Sequence, residues 1–86
     1  MVDRFETVIR GVPLWLMREY LEQVGGRGQV NGWCQGDGWR ARLTQVEDHT
    51  IGSLRVGQVK LEVEGEAGPV ARARAGLEPK LLRGGG

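Results

Sequence analysis

Few side chains in this chain are equipped for covalent chemistry, and none has a helper close by in the sequence. The one histidine, His49, falls in the polar run Glu47-Asp48-His49-Thr50. That run reads as a turn, where an imidazole is solvated instead of paired with a nucleophile. The one cysteine, Cys34, alternates with Val30, which places it on an inward face as a buried, inert thiol. A lone cysteine also excludes an internal disulfide framework and a cysteine-cluster zinc site. Ser53, the one serine, stands in Ile51-Gly52-Ser53-Leu54 and lacks the flanking-glycine elbow that exposes a serine nucleophile. Glu62, Glu64 and Glu66 alternate along a strand end, but they have no histidine or second acidic cluster to complete a metal site. Gly25-Gly26-Arg27-Gly28 ends a helix instead of opening one, so its amides point the wrong way to hold a phosphate. The expectation is a chain that is not an enzyme, with no catalytic residue, no metal and no cofactor. A small enzyme is the least favoured alternative, because no acid, base and nucleophile converge.

Binding chemistry is better represented. Strand alternation puts Arg4, Arg10, Arg40, Arg42, Arg55 and Lys60 on one face with Glu6, Glu62 and Glu64, and sets Trp33 among them. Basic residues around an aromatic ring are what an anionic or nucleotide-bearing partner needs. The same residues also suit a solvated face of cross-strand ion pairs. Trp33, Arg40, Arg42, Arg55 and Lys60 are the candidate binding residues. Trp15, off the apolar stripe of its helix, is a candidate partner contact or a packing residue. A net charge of +1 argues against a nucleic-acid domain.

These residues must be carried by one small domain. Eighty-six residues, 40% hydrophobic and 27% charged, support a single core over residues 1–83. The glycines at 84–86 read as a flexible tail. No apolar run spans a membrane and no signal segment opens the chain, so the protein reads as cytoplasmic. Period-two alternation predicts strands over 3–10, 29–35 and 39–47, the last two joined through Gly36-Asp37-Gly38. Two further strands are predicted over 51–56 and 58–64, with Gly57 either a tight turn or a bulge. Pro13, followed by Leu14, Met17, Leu21 and Val24 at spacings of three and four, predicts a helix over 13–24 that Gly25 stops. Val70, Ala73, Leu77 and Leu81 predict a second helix of about two to three turns from about residue 69, kinked or frayed by Gly76 and Pro79. The order β-α-β-β-β-β-α gives an α+β fold: one antiparallel sheet with two helices on one face.

Two segments resemble a known family. Arg4-Phe5-Glu6-Thr7, then Val12-Pro13-Leu14-Trp15-Leu16-Met17-Arg18-Glu19-Tyr20-Leu21-Glu22 through Gly25-Gly26, are similar to the start of the C-terminal domain of MoaD-related proteins. Ile51-Gly52-Ser53-Leu54 and Val59-Lys60-Leu61-Glu62-Val63-Glu64-Gly65-Glu66 resemble its later strands. MoaD is the small sulfur-carrying subunit of molybdopterin synthase. In its relatives a ubiquitin-like carrier domain precedes this second domain, whose function is unknown. The resemblance implies a fold of the TATA-binding-protein class, carries over no catalytic residue, and leads to an expected role beside sulfur-carrier or molybdopterin chemistry. Expected partners are a sulfur carrier or an anionic small ligand, and the oligomeric state is open, a homodimer included. A second expectation comes from Leu82-Arg83-Gly84-Gly85-Gly86, which resembles the tails of ubiquitin-like carriers. It makes the chain a carrier or modifier activated at Gly85-Gly86, where a narrow channel admits no side chain.

Overall fold

The computed structural model describes residues 1–84. Its elements run β1 (Val2–Arg10), α1 (Leu14–Gln23), β2 (Arg27–Val30), β3 (Trp33–Gln35), β4 (Trp39–Ile51), β5 (Leu54–Glu66) and α2 (Ala67–Gly84). The strands form one sheet in the order β1-β5-β4-β3-β2, and every neighbouring pair is antiparallel. This is the expected α+β arrangement.

The core lies between the sheet and the helices. Register places Phe5, Val63 and Ala41 side by side, and likewise Thr7, Leu61 and Leu43. The inward residues Ile9, Val59, Leu61, Val63, Trp39 and Ala41 pack with Met17 and Leu21 of α1 and with Val70, Ala73 and Leu77 of α2 in a single buried cluster. Both helices therefore cover the same face.

α1 ends in a double hydrogen bond. Gly26 N–H donates to Leu21 O at 2.8 Å and Gly25 N–H to Glu22 O at 3.1 Å, with Gly25 at φ +107°. This closes the helix and satisfies its last carbonyls. A Cβ on Gly26 would come within 2.6 Å of the Cys34 sulfur, so the missing side chain lets α1 settle onto β3.

Three expectations change. Residues 29–35 are two strands, because Asn31-Gly32 forms a two-residue hairpin with both φ angles positive and Val30 paired to Trp33. Glu47–Thr50 is not a turn; it continues β4, and the reversal comes at Gly52-Ser53 between the paired residues Ile51 and Leu54. Gly57 is neither a turn nor itself a bulge: β5 runs through it, and the bulge is on β4. Val46 pairs with Gln58 and His49 with Val56, so Glu47 and Asp48 together face Gly57. The β-α-β-β-β-β-α order survives because one missed hairpin offsets one expected strand break.

α2 is also longer than expected, 18 residues with Pro79 inside it. Pro69 lies in the first turn, where its missing N–H costs nothing. Gly76 does not break the helix; a Cβ there would meet Val24 Cγ1 at 2.8 Å, so it marks the close approach of α1. Burial of Val70, Ala73 and Leu77 offsets the roughly 3 kcal/mol that an interior proline costs.

Candidate functional site

Strand alternation leaves the face opposite the helices to Arg4, Glu6, Val8 and Arg10 of β1, to Gln58, Lys60, Glu62 and Glu64 of β5, and to Arg40, Arg42, Thr44 and Val46 of β4. No helix covers it. Its charged half is a ladder of two ion-pair groups that meet at the Trp33 ring. Arg40 pairs with Glu64. Arg42 holds Glu62 with two hydrogen bonds, Nε to Oε1 and Nη2 to Oε2, both 3.1 Å. Arg4 reaches the same carboxylate at 2.8 Å and Glu6 at 3.1 Å. Lys60 closes on Glu6 at 3.7 Å.

Glu62 is the centre of this ladder and is 3% exposed, although it belongs to the outer face. It is covered by its own ion-pair partners, since Arg4 and Arg42 stay about half exposed while they shield it. Burial opposes its charge. The hydrogen bonds and charge of Arg42, the charge of Lys60 and the hydrogen bond of Arg4 outweigh that and hold the carboxyl below its ordinary value. A two-pronged guanidinium–carboxylate contact is directional as well as strong. It fixes Arg42, and Arg42 in turn fixes Trp33: the Arg40 and Arg42 guanidinium carbons stand 4.3 and 4.6 Å from the indole centroid.

Trp33, Arg40, Arg42 and Lys60 are therefore brought together as expected. Arg55 is not. β5 is continuous from Lys60 to Leu54, and an odd separation of five residues puts Arg55 on the opposite parity, out beside the hairpin tip and paired in register with Thr50. Its expected place depended on a bulge in β5 that falls on β4 instead. Arg10 takes Gln58 as its partner at 2.9 Å. Trp15 is 62% exposed on α1. Gly85 and Gly86 lie outside the described residues, and α2 runs through Gly84, so Leu82–Gly84 are helical and not an extended thread.

Cys34 is half-buried, not fully buried. It lines a cavity of about 170 Å³ under α1, with Arg18, Leu21, Glu22, Ala41 and Leu43 among the walls. Burial, helped by the negative charge of Glu22, pushes the thiol above its ordinary value, so it stays protonated and a poor nucleophile. Among the described residues no cluster of three His, Cys, Asp or Glu side chains could hold a metal, and no helix is long and apolar enough to cross a membrane.

Sequence reasoning missed two things here. One is that Glu62 is buried by charge, which alternation cannot show. The other is the apolar part of the face, where Val8 is 50%, Ile51 59% and Leu54 61% exposed. Val8 could have been found, since it alternates with Arg4, Glu6 and Arg10 instead of Phe5 and Ile9.

Fold and site together define an α+β protein with a five-stranded antiparallel sheet, helices on one face and an ion-pair ladder on the other. The chain belongs to the archaeal MoaD-like protein family, whose model matches residues 5–86. The match takes in the hairpin region and α2, both beyond the two motifs that suggested the family. No curated protein matches the chain.

Proposed function

We propose that this chain is a non-enzymatic accessory module of the cytoplasm that binds a protein partner in sulfur-carrier or molybdopterin chemistry. Membership of the MoaD-like family supports the chemical setting. The observation that carries the reading is the ladder itself: Trp33 clamped by Arg40 and Arg42, and Arg42 clamped by Glu62, on a face with no helix over it.

Such a surface favours a protein over a small anion. Arg4, Arg40, Arg42 and Lys60 each have a carboxylate partner already. An anion must displace a preorganised carboxylate to gain one of these cations. A protein surface with its own mixed charges can extend the ladder and also cover the indole, and Trp and Arg are the residues that most often dominate such contacts. Trp15 offers a second contact point on the helical layer.

The test is a titration of the isotope-labelled chain, followed by NMR, with a sulfur-carrier protein and separately with pyrophosphate. The expected result is shifts at the Trp33 indole, Arg40, Arg42 and Lys60 with the carrier, and little change with pyrophosphate. Shifts with pyrophosphate alone would reverse the choice of partner. A face unmoved by either would end the proposal.

A further inference from the structure

We propose that two copies of this chain join edge to edge along β1, antiparallel about a two-fold axis at Val8, so that one sheet runs through both. Three stretches of the sheet have an open side among the described residues. One is the arm, residues 47–57, where β4 and β5 run on as a two-stranded ribbon beyond the ends of β1 and β3. The second is β2, which is four residues long and pairs irregularly with β3, the blunt kind of edge that resists addition. The third is β1, which is nine residues long, pairs without a break and has β5 on one side only. A long regular edge of this kind is a template for another strand.

The hydrogen-bond phase of β1 fixes which backbone groups its open side presents. Gly11 N–H donates to Gly57 O, and Ala67 N–H to Met1 O, both at 2.9 Å. Both bonds continue the β1–β5 register, so the odd-numbered residues of β1 bond β5 and the even-numbered ones turn N–H and C=O outward. At Arg4 the outward N–H is already taken, by the Asp3 carboxylate at 2.8 Å. The outward groups of Glu6, Val8 and Arg10 have no partner among the described residues. All three residues are exposed, Val8 at 50%. Thr7, between them on the helix side, is exposed as well, so the helices leave this stretch open.

The side chains along this edge select a second copy and one register. Glu6, Val8 and Arg10 share the outer face, and an acid, an apolar residue and a base at equal spacing complement their own reverse. With the axis at Val8, Val8 meets Val8. Glu6 of each copy then stands directly opposite Arg10 of the other, on the same face and about 5.5 Å apart at Cα. Opposite charges so placed stabilise a strand pair, and like charges oppose it. The contact is isologous, so it is made twice. An axis at Glu6 sets Glu6 on Glu6, one at Thr7 sets Arg4 on Arg10, and one at Ile9 carries Glu6 past the end of the other strand. Arg10 can make the contact, since its Nε holds only Gln58 and no carboxylate pairs with it among the described residues. Glu6 already meets Arg4 and Lys60, and a carboxylate has lone pairs for a further donor.

Sedimentation equilibrium on the full chain, from low micromolar to several hundred micromolar, tests this together with amide hydrogen exchange. The expected result is a monomer–dimer equilibrium in which the Glu6, Val8 and Arg10 amides gain protection as dimer forms. Glu6→Lys and Arg10→Glu should each weaken association about tenfold or more, because each sets like charges opposite one another twice. Mixing the two variants should restore association, since in the mixed pair every base again faces an acid. Val8→Pro removes an outward N–H at a position where an edge strand tolerates proline, and should leave a folded monomer. A wild type that stays monomeric throughout, a mixture that associates no better than its components, or a folded Val8→Pro variant that still dimerises would each overturn the proposal. So would a dimer whose three amides exchange as in the monomer, or a β1 edge that pairs only with a strand of another protein.

Discussion

The outer face of this sheet changes character along β4 and β5. In the body both strands have neighbours, helices cover the inner face, and the outer face spends its charges on one another through Arg4, Arg42 and Glu62. In the arm the neighbours stop, the charges at Glu47, Asp48 and Arg55 stay unpaired among the described residues, and apolar side chains point outward. The molecule is 44 Å long, which is what two 13-residue strands demand at about 3.3 Å per residue. Neighbouring strands, more than composition, decide which charges find a partner. A ladder needs rungs on both sides, and Glu62 has β4 on one side and β1 on the other.

The contrast is broken most sharply by truncating a leucine in each region. Leu61 is fully buried and Leu54 is 61% exposed, seven positions apart on one strand. Leu61→Ala should cost about 3 kcal/mol, from lost burial and the cavity left behind. Leu54→Ala, measured in dilute solution, should stay within about 0.5 kcal/mol. Urea unfolding of both variants decides the matter, and comparable losses would mean that the arm is packed as the body is.

A smaller effect separates two arginines within the ladder. Arg42→Ala removes two charge-assisted hydrogen bonds from Glu62 and uncovers the carboxylate to water, with Arg4 and Lys60 still beside it, and should cost about 1.5 kcal/mol. Arg40→Ala removes an exposed pair with Glu64 and should cost at most about 1 kcal/mol. Acid titration sharpens this. The lowered value of Glu62 means that its contribution is fully present above the unfolded carboxylate value of about 4.3. It is lost as pH falls below that towards the folded value. Glu62→Gln should therefore flatten the fall of melting temperature below about pH 4.3.

The sequence disclosed the body far better than the arm, for a physical reason. Alternation reports burial, and only the body buries one face of its strands; Phe5, Ile9, Val59, Leu61 and Val63 are legible because each faces the helices. The arm buries nothing, so Glu47-Asp48-His49-Thr50 looks like a turn although it is strand. Its bulge then shifts the parity of the residues beyond and hides the shared face of Val46, Val56 and Ile51. Asn31-Gly32 was missed for a different reason: Val30, Gly32 and Cys34 keep a period of two straight across a hairpin. The ladder's members were readable as a face, and Trp33 with Arg40 and Arg42 came together as their spacing implied. Arg55 did not, because its parity depends on which of two strands carries the extra residue.

The smallest expected effect bears on that last point. Gly57 faces the bulge, yet a Cβ built there meets nothing within 4 Å, and its φ is not among the positive ones. The extra residue is accommodated wholly by Glu47 and Asp48 on β4, and the glycine opposite them is under no steric demand. Gly57→Ala should then leave the fold intact and raise stability by about 0.4–1 kcal/mol, because the unfolded chain loses freedom that the native strand never used. Gly26→Ala provides the contrast from the body: its Cβ must push aside the Cys34 sulfur and the Leu21 carbonyl, so it lowers stability. Thermal melts of the two variants side by side compare a glycine that the packing requires with one that it does not. A Gly57→Ala variant that melts below wild type would mean that the bulge needs both strands to form, and that the arm is more tightly specified than its exposure suggests.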